Sequence, residues 1–544
     1  MRESVTGQRQ EAREEVKSTP EPAAGGPREG ERGTRGAIPP EIIKFLLKDS
    51  ARSLIVRGKP GTGKTTFCLQ CLEEIGLDRS CFYFSTRVSD TALYSQFPWL
   101  KEKEWRDKIL DASRGFLKAL GDEGEVRDIK TRYDPQKAEV LSASRELLGA
   151  MYETRLTAPT QVDRTMLNNL LQQSDMLDLS RLYERIERRL PNPSFLIIDS
   201  LDGLAEKYDL SLPKIAFALQ KDLVENSNAR IMLVLESESR IVDYMVDGVI
   251  NMDMGEVDRR RVRECTIEKL RGEQVIQHRY LFTLESGRFR FFPSFRAPAS
   301  SSPARWQPVP DAPGAFSTGN SSLDALLGGG IPRGSNVMVE LTNNLPDAVY
   351  KMLIFPMALN FVAQGRGVMM IPPSDSMADE FYALMTRVLG REAVGRLIRI
   401  AEMVYPLRNQ DRPHIVTLEF EDIKKDFDKW SREVAKLRKQ TGQSILEIQA
   451  VETQETRFSA ELYKKFLNIS SEITAKEGDV VVRLVKPGMQ EFTQRVANAS
   501  SIHIKLRMMN GAAIVYCEKP PTGIYCIEPV DGINGPELKF IPIV

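Results

Sequence analysis

The sequence predicts an α/β protein of two tandem domains, each a central, mostly parallel sheet flanked by helices. Three observations carry this. The loop Gly58-Lys59-Pro60-Gly61-Thr62-Gly63-Lys64-Thr65 joins an apolar strand, Ser53-Leu54-Ile55-Val56, to a helix-like run, Thr66 to Leu72. Apolar runs that end in polar residues then alternate with helical stretches, as in sheets buried on both faces. Finally, 544 residues are too many for one hydrophobic core, so two or three domains are expected.

The loop matches GxxxxGK[ST], a phosphate-binding loop between strand and helix. Its glycines let main-chain N–H groups turn inward around phosphate, and the helix N-terminus adds its positive end. Gly58, Pro60, Gly61, Thr62, Gly63, Lys64, Thr65 and Thr66 are therefore the expected nucleotide cradle. Lys64 would neutralise the β- and γ-phosphates, and Thr65 would offer its hydroxyl to Mg²⁺, which takes few protein ligands and keeps several waters. The residues leave ATP and GTP open as the ligand, with Mg²⁺; no guanine-reading Asn-Lys-x-Asp motif is suitably placed, and ATP is the expectation carried forward.

Composition narrows the classes. The 75 basic residues balance 75 acidic ones, so no global field draws the chain to nucleic acid. The N-terminus is charged and no run of 18 apolar residues occurs, so neither a signal peptide nor a membrane span is expected, and the cytoplasm is the expected compartment. Six cysteines make no disulfide framework in so long a chain. Cys68 and Cys71 form a CxxC without a second pair, on a helix where small residues pack against a sheet, which favours core packing over metal or redox chemistry.

Residues 1–37 are rich in Gly, Glu, Arg and Pro and are expected to be disordered, having too little apolar surface to offset ordering entropy. Order should begin at Ile38, with a helix opened by Pro40 and Glu41. After the phosphate loop, Ser80 to Ser85 reads as a strand, and a charged, helix-rich insertion with Trp99 and Trp105 near its start fills roughly 90–190. Phe195-Leu196-Ile197-Ile198-Asp199 is a buried strand whose terminal carboxylate would emerge beside the nucleotide and hold Mg²⁺ through water. Glu236 ends the strand from Arg230. It is either a solvated strand end or a group that positions water. Val246 to Met252 and Cys265 to Gly272 complete a sheet of alternating strands and helices, a RecA-type domain over 38–293.

Within this stretch, Ile198-Asp199-Ser200, Asp247-Gly248-Val249-Ile250 and Glu268-Lys269-Leu270-Arg271-Gly272 resemble the KaiC-type branch of RecA-like ATPases. That resemblance implies that Lys269 and Arg271 act on the nucleotide of a neighbouring subunit in a homo-oligomer, as an arginine finger does. Their alternative is a solvated strand edge. KaiC-type enzymes usually place paired glutamates just after the second strand, where this chain has Ser85-Thr86-Arg87-Val88-Ser89. With the Phe97-Pro98-Trp99 segment, that run is similar to the archaeal GvpD family of gas-vesicle regulators. The resemblance implies ATP binding, with activation of water left to Glu236 or to no residue.

Residues 294–315 have a linker composition of Pro, Ser and Ala. From 316 to 544 a second, degenerate KaiC-like domain is expected. The lead-in Phe316 to Ser335 and the strand Asn336 to Glu340 are present, but Leu341 to Ala348 has no glycine and no loop lysine, Pro346 lacks an N–H, and Lys351 lies a turn too far along. Lys505-Leu506-Arg507 repeats the Lys-Leu-Arg of the first half. Asp479 is the acid that aligns with Asp247.

Arg259, Arg260, Arg261 and Arg263 fall where a loop or hairpin is expected, either solvated or facing a protein partner or DNA. Two functions follow. One is an ATP-binding regulator of the KaiC/GvpD kind that controls assembly or a protein partner such as a transcription regulator, with hydrolysis slow or absent. The other is a RecA-paralogue ATPase acting on DNA in recombination or repair.

Overall fold

A run of five apolar or paired residues is most stable at the centre of a sheet, and Ser53–Arg57 (β1), buried throughout, lies there. The computed structural model describes residues 36–48, 52–75, 80–101, 109–111, 182–183, 186, 190, 192–298, 305–373, 377–403, 414–419, 422–452, 460–488 and 490–544. The expected N-terminal tail lies almost wholly outside these residues, as does most of the insertion expected over 90–190, including Trp105.

Two large sheets form. The first also contains Ser80–Ser85 (β2), Ile109–Asp111 (β3), Ser194–Asp199 (β4) and Arg230–Leu235 (β5). Gly248–Val257 (β6), Arg260–Leu270 (β7), Arg279–Thr283 (β8) and Arg290–Phe292 (β9) complete it in the order β3-β2-β4-β5-β1-β6-β7-β8-β9. Pairing is parallel as far as β6 and antiparallel beyond. The expected alternation of strand and helix therefore gives way to a meander. The physical reason is the two-residue turn Asp258–Arg259, both at positive φ (45° and 64°), which joins β6 directly to β7.

A short pair, Ala315–Phe316 (β10) and Ile331–Pro332 (β11), leads into the second sheet. Its strands are Asn336–Leu341 (β12), Val368–Ile371 (β13), Ile398–Met403 (β14), Ile415–Leu418 (β15) and Leu446–Ala450 (β16). Val480–Val485 (β17), Ile502–Met509 (β18), Ala512–Lys519 (β19), Tyr525–Gly532 (β20) and Gly535–Pro542 (β21) follow, in the order β15-β14-β13-β16-β17-β12-β18-β19-β20-β21. Again the pairs are parallel up to β18 and antiparallel from β18 to β21.

Superposing the strand orders on β1 and β12 makes β6 the counterpart of β18, and β7 that of β19. Lys269 lies on β7 but Lys505 lies on β18, so the two Lys-Leu-Arg runs occupy non-corresponding strands and are not a structural repeat. Asp479 precedes β17, the counterpart of β5, and so does not match Asp247 before β6; it pairs instead with Arg438.

The antiparallel strands of both sheets share one core. Val262, Leu281 and Phe292 pack with Ile514, Tyr516 and Ile541. Residues 305–315 also engage the second half, where buried Trp306 donates to Asn360 Oδ1 at 3.3 Å. All six cysteines are buried free thiols, and Cys68 and Cys71 lie in the first core.

Candidate functional site

The phosphate loop follows β1 and opens the helix Lys64–Ile75. Its glycines meet specific demands. Gly61 (φ 80°) and Gly63 (φ 97°) hold left-handed conformations that other residues adopt poorly. A Cβ at Gly58 would stand 2.2 Å from the main-chain oxygen of Met252 on β6. The cradle thus exists because side chains are absent from it, as close approach of phosphate to backbone requires.

Lys64 is buried and curls into its own loop, donating to the Gly58 oxygen at 2.7 Å and to the Lys59 oxygen at 3.0 Å. Burial lowers the pKa of its ammonium, with Glu236 and Asp199 opposing that shift. Thr62 donates to the Lys59 oxygen at 2.9 Å and closes the loop. On the next turn, Thr65 donates to Asp199 Oδ2 at 2.7 Å. The strand end and the loop helix thus present a hydroxyl and a carboxylate to the same point, the donor set that Mg²⁺ shares with water and phosphate. Pro60 is exposed, and Thr66 is half-buried on the first helical turn.

Several contacts were not legible in the sequence. The Tyr83 hydroxyl donates to Asp199 Oδ2 at 2.6 Å, and burial followed by the Asp199 charge raises its pKa. Glu236 is paired with Arg87, which also lies 3.7 Å from Glu206. Asp202 accepts from the Glu236 main-chain nitrogen at 2.7 Å. Thr86 accepts from Ser200 N at 2.9 Å, fixing the segment in which KaiC-type enzymes place glutamates. A strand followed by Thr-Arg hinted that this position matters, but not that the arginine would meet Glu236.

Lys64, Thr65, Asp199 and Glu236 therefore converge. Lys269 and Arg271 do not join them. The register places Lys269 opposite Val249, level with Ile55 in the middle of β1, and Arg271 beside Asp247 at its amino end, whereas the loop leaves its carboxyl end. There Lys269 donates to the oxygens of Asp243 (3.0 Å) and Val246 (2.6 Å), and Arg271 pairs with Asp247 at 3.0 Å.

Nor do the clustered arginines form a free basic patch. Arg260 donates to the oxygens of Cys517 and Thr522 at 2.7 Å and lies over Tyr516. Arg263 reaches the Gly61 oxygen at 2.9 Å and the main chain of Val544. Arg259 and Arg261 remain exposed.

Comparison with known proteins agrees with this layout. Residues 42–268 match the model of the GvpD gas vesicle protein P-loop domain, and residues 305–544 match that of GvpD basic region 2. The chain belongs to the GvpD family. Protein GvpD2 of Halobacterium salinarum is 24% identical over 520 residues, covering 93% of this chain and 96% of that protein. Protein GvpD1 of the same organism is 23% identical, covering 93% and 95%. The circadian clock oscillator protein KaiC of a Picosynechococcus species is 24% identical over 306 residues, 53% of this chain and 48% of that one. The mixed α/β architecture of this chain, with its parallel-rich sheets, is consistent with the matched P-loop domain. No helix among the described residues is long and apolar enough to cross a membrane.

Proposed function

We propose that this GvpD-family chain is an ATP-dependent switch whose signal is nucleotide occupancy rather than turnover, acting on a protein partner in gas-vesicle control. Gly58 to Thr66 would hold the phosphates, with Lys64 against the β- and γ-phosphates, and Thr65 and Asp199 would hold Mg²⁺. The metal would supply charge neutralisation of the phosphate oxygens. The observation that carries the reading is the Arg87–Glu236 pair. Glu236 is the carboxylate best placed to prepare a water, yet its charge is engaged by Arg87, and no glutamate stands at position 86 or 87. A base held in an ion pair is a weak base, whereas Arg87 can exchange Glu236 for another anion arriving at the loop.

The second half reads as a degenerate tandem domain. Its strand order follows that of the first with one strand, β15, added at the edge, but the loop after β12 lacks a lysine and Lys351 is held by Glu380 at 2.7 Å. Homo-oligomerisation fits the opposite-end position of Arg271. The Arg271 side chain is 59% exposed and cannot reach its own loop, so any phosphate it meets belongs to a second copy. The DNA-repair alternative loses ground because Arg260 and Arg263 are used inside the chain.

The test is ATP binding and single-turnover hydrolysis by the purified chain beside Lys64→Ala, with oligomer size followed in the same samples. Tight binding without turnover, plus a nucleotide-dependent change in size, is expected, and Lys64→Ala should lose both. Fast turnover in the wild type would make it an ATPase instead, and absence of binding would sink the reading.

A further inference from the structure

Away from the phosphate loop, the two faces of the second sheet differ in chemistry. On β16 and β17, Leu446, Ile448, Val480, Val482 and Leu484 enter the main hydrophobic core of the second half. By the two-residue period of a strand, Glu447, Gln449 and Arg483 alternate onto the other face, beneath the helices Ile423–Thr441 and Ala460–Glu477. Arg483 is 1% exposed. Its Nη1 donates to Asn336 Oδ1 at 2.7 Å and its Nη2 to Ser470 Oγ at 3.1 Å, both neutral acceptors.

Among the described residues no carboxylate lies within ion-pairing distance of that guanidinium. Arg483 Nε and the Tyr463 hydroxyl face each other short of hydrogen-bond geometry, and neither has another partner there. A buried cation without a counter-ion is strongly unfavourable and persists where something else compensates it. Glu447 acts on it only through space: it makes no ion pair with the guanidinium, and its Oε2 accepts instead from Trp430 Nε1 at 2.7 Å and Gln449 Nε2 at 3.0 Å.

These groups border a cavity of about 270 Å³ walled by Phe427, Trp430, Val434, Phe466 and Leu467, with Arg483 on its floor. The Phe427 and Phe466 rings are 4.9 Å apart. Apolar walls converging on a few polar groups are the usual composition of a ligand pocket, and the volume sits just below the roughly 300–1,000 Å³ of drug-sized sites. One ring and a short polar tail is the size that fits.

We propose that this cavity binds a small aromatic carboxylic acid, with the carboxylate on Arg483 and the ring among Phe427, Trp430 and Phe466. A carboxylate is planar and matches the guanidinium edge that ends in the free Nε. The same anion would supply a counter-charge in direct contact with the guanidinium, which the protein omits. Two acidic residues border the cavity and neither opposes such a ligand. Burial pushes Glu447 towards its neutral form, and Asp426 accepts from the Glu419 main-chain nitrogen at 3.0 Å. The site lies on the second sheet and is independent of the nucleotide reading.

The experiment is calorimetric titration of the full chain with phenylacetate and, separately, with benzyl alcohol, which keeps the ring but has no charge. Saturable binding of phenylacetate, at least tenfold tighter than benzyl alcohol, is expected. Arg483→Met should weaken phenylacetate at least tenfold without weakening benzyl alcohol. Leu467→Phe fills the cavity without touching Arg483 and should remove phenylacetate binding, so the test stands even if Arg483→Met does not fold. Three results would overturn the proposal: benzyl alcohol binding as tightly as phenylacetate, phenylacetate affinity unchanged in Leu467→Phe, or no saturable binding of phenylacetate, 4-hydroxyphenylacetate or indole-3-acetate.

Discussion

Arg263 Nη1 donates to the main-chain oxygen of Gly61 at 2.9 Å, while Nε of the same guanidinium holds the main chain of Val544. One buried side chain on β7 thus ties the phosphate loop to the end of the second sheet. Thr283 adds to the tie by donating to the Pro542 oxygen at 2.7 Å. The loop backbone and the contact between the two halves thus share one side chain.

Replacing Arg263 with Ala should weaken ATP binding about tenfold, because a hydrogen bond to a charged group contributes about 1.5–3 kcal/mol and the loop loses its outer brace. Calorimetry with a non-hydrolysable ATP analogue checks this. Unchanged affinity would mean that the loop holds its shape without the second half.

Glu236→Gln should change the single-turnover rate by less than about threefold, against the roughly 10²–10⁴-fold loss typical when a general base is removed. The reason is the Arg87 pairing, which already removes Glu236 from that role. A loss of a hundredfold would make Glu236 the base and the chain an ATPase.

Asp199→Asn should abolish the Mg²⁺-dependent part of ATP affinity and leave metal-free binding nearly intact, since the introduced amide would keep an acceptor for Thr65 and lose only the charge. Titrations with and without EDTA separate the two contributions. Lys351→Ala should change neither, and the stoichiometry should be one nucleotide per chain.

The pH dependence of stability should carry a mark of Glu447, whose pKa burial raises above 4.5. As pH rises past 4.5 the unfolded chain releases this proton while the folded chain keeps it, so folding stability falls until the raised pKa is passed. Glu447→Gln removes that penalty. The variant should melt at a higher temperature than the wild type at neutral pH, and the gap should close as pH falls to about 4. A gap of constant size at every pH would assign the effect to packing.

The parts that could be read in advance share a physical character. The loop Gly58 to Thr65 is legible because its left-handed glycines and its lysine serve one local backbone path, and β1 and β4 because a continuous apolar run fits only a sheet covered on both faces. Asp199 follows from strand length alone, since the last residue of a buried strand emerges at the ligand edge. Arg87 was read as a missing glutamate and is instead the partner of Glu236, a contact between residues 149 apart in sequence. The arginines from Arg259 to Arg263 looked like one patch. The tertiary contacts divide them into two that tie the halves together, Arg260 and Arg263, and two that face water, Arg259 and Arg261.

The sequence by itself determined the α/β class, the phosphate loop and the strand-end Asp199 beside it, because backbone conformation and side-chain period are local properties. Tertiary structure alone decided which strands are neighbours and which way they run. That order tied Lys269 to the oxygens of Asp243 and Val246, put Arg271 at the far end from its own loop, separated the two Lys-Leu-Arg runs onto unlike strands, and brought Arg263 to Gly61. Each is a contact between residues distant in the chain, set by how sheets stack to bury their apolar faces, and a one-dimensional pattern carries no record of that choice.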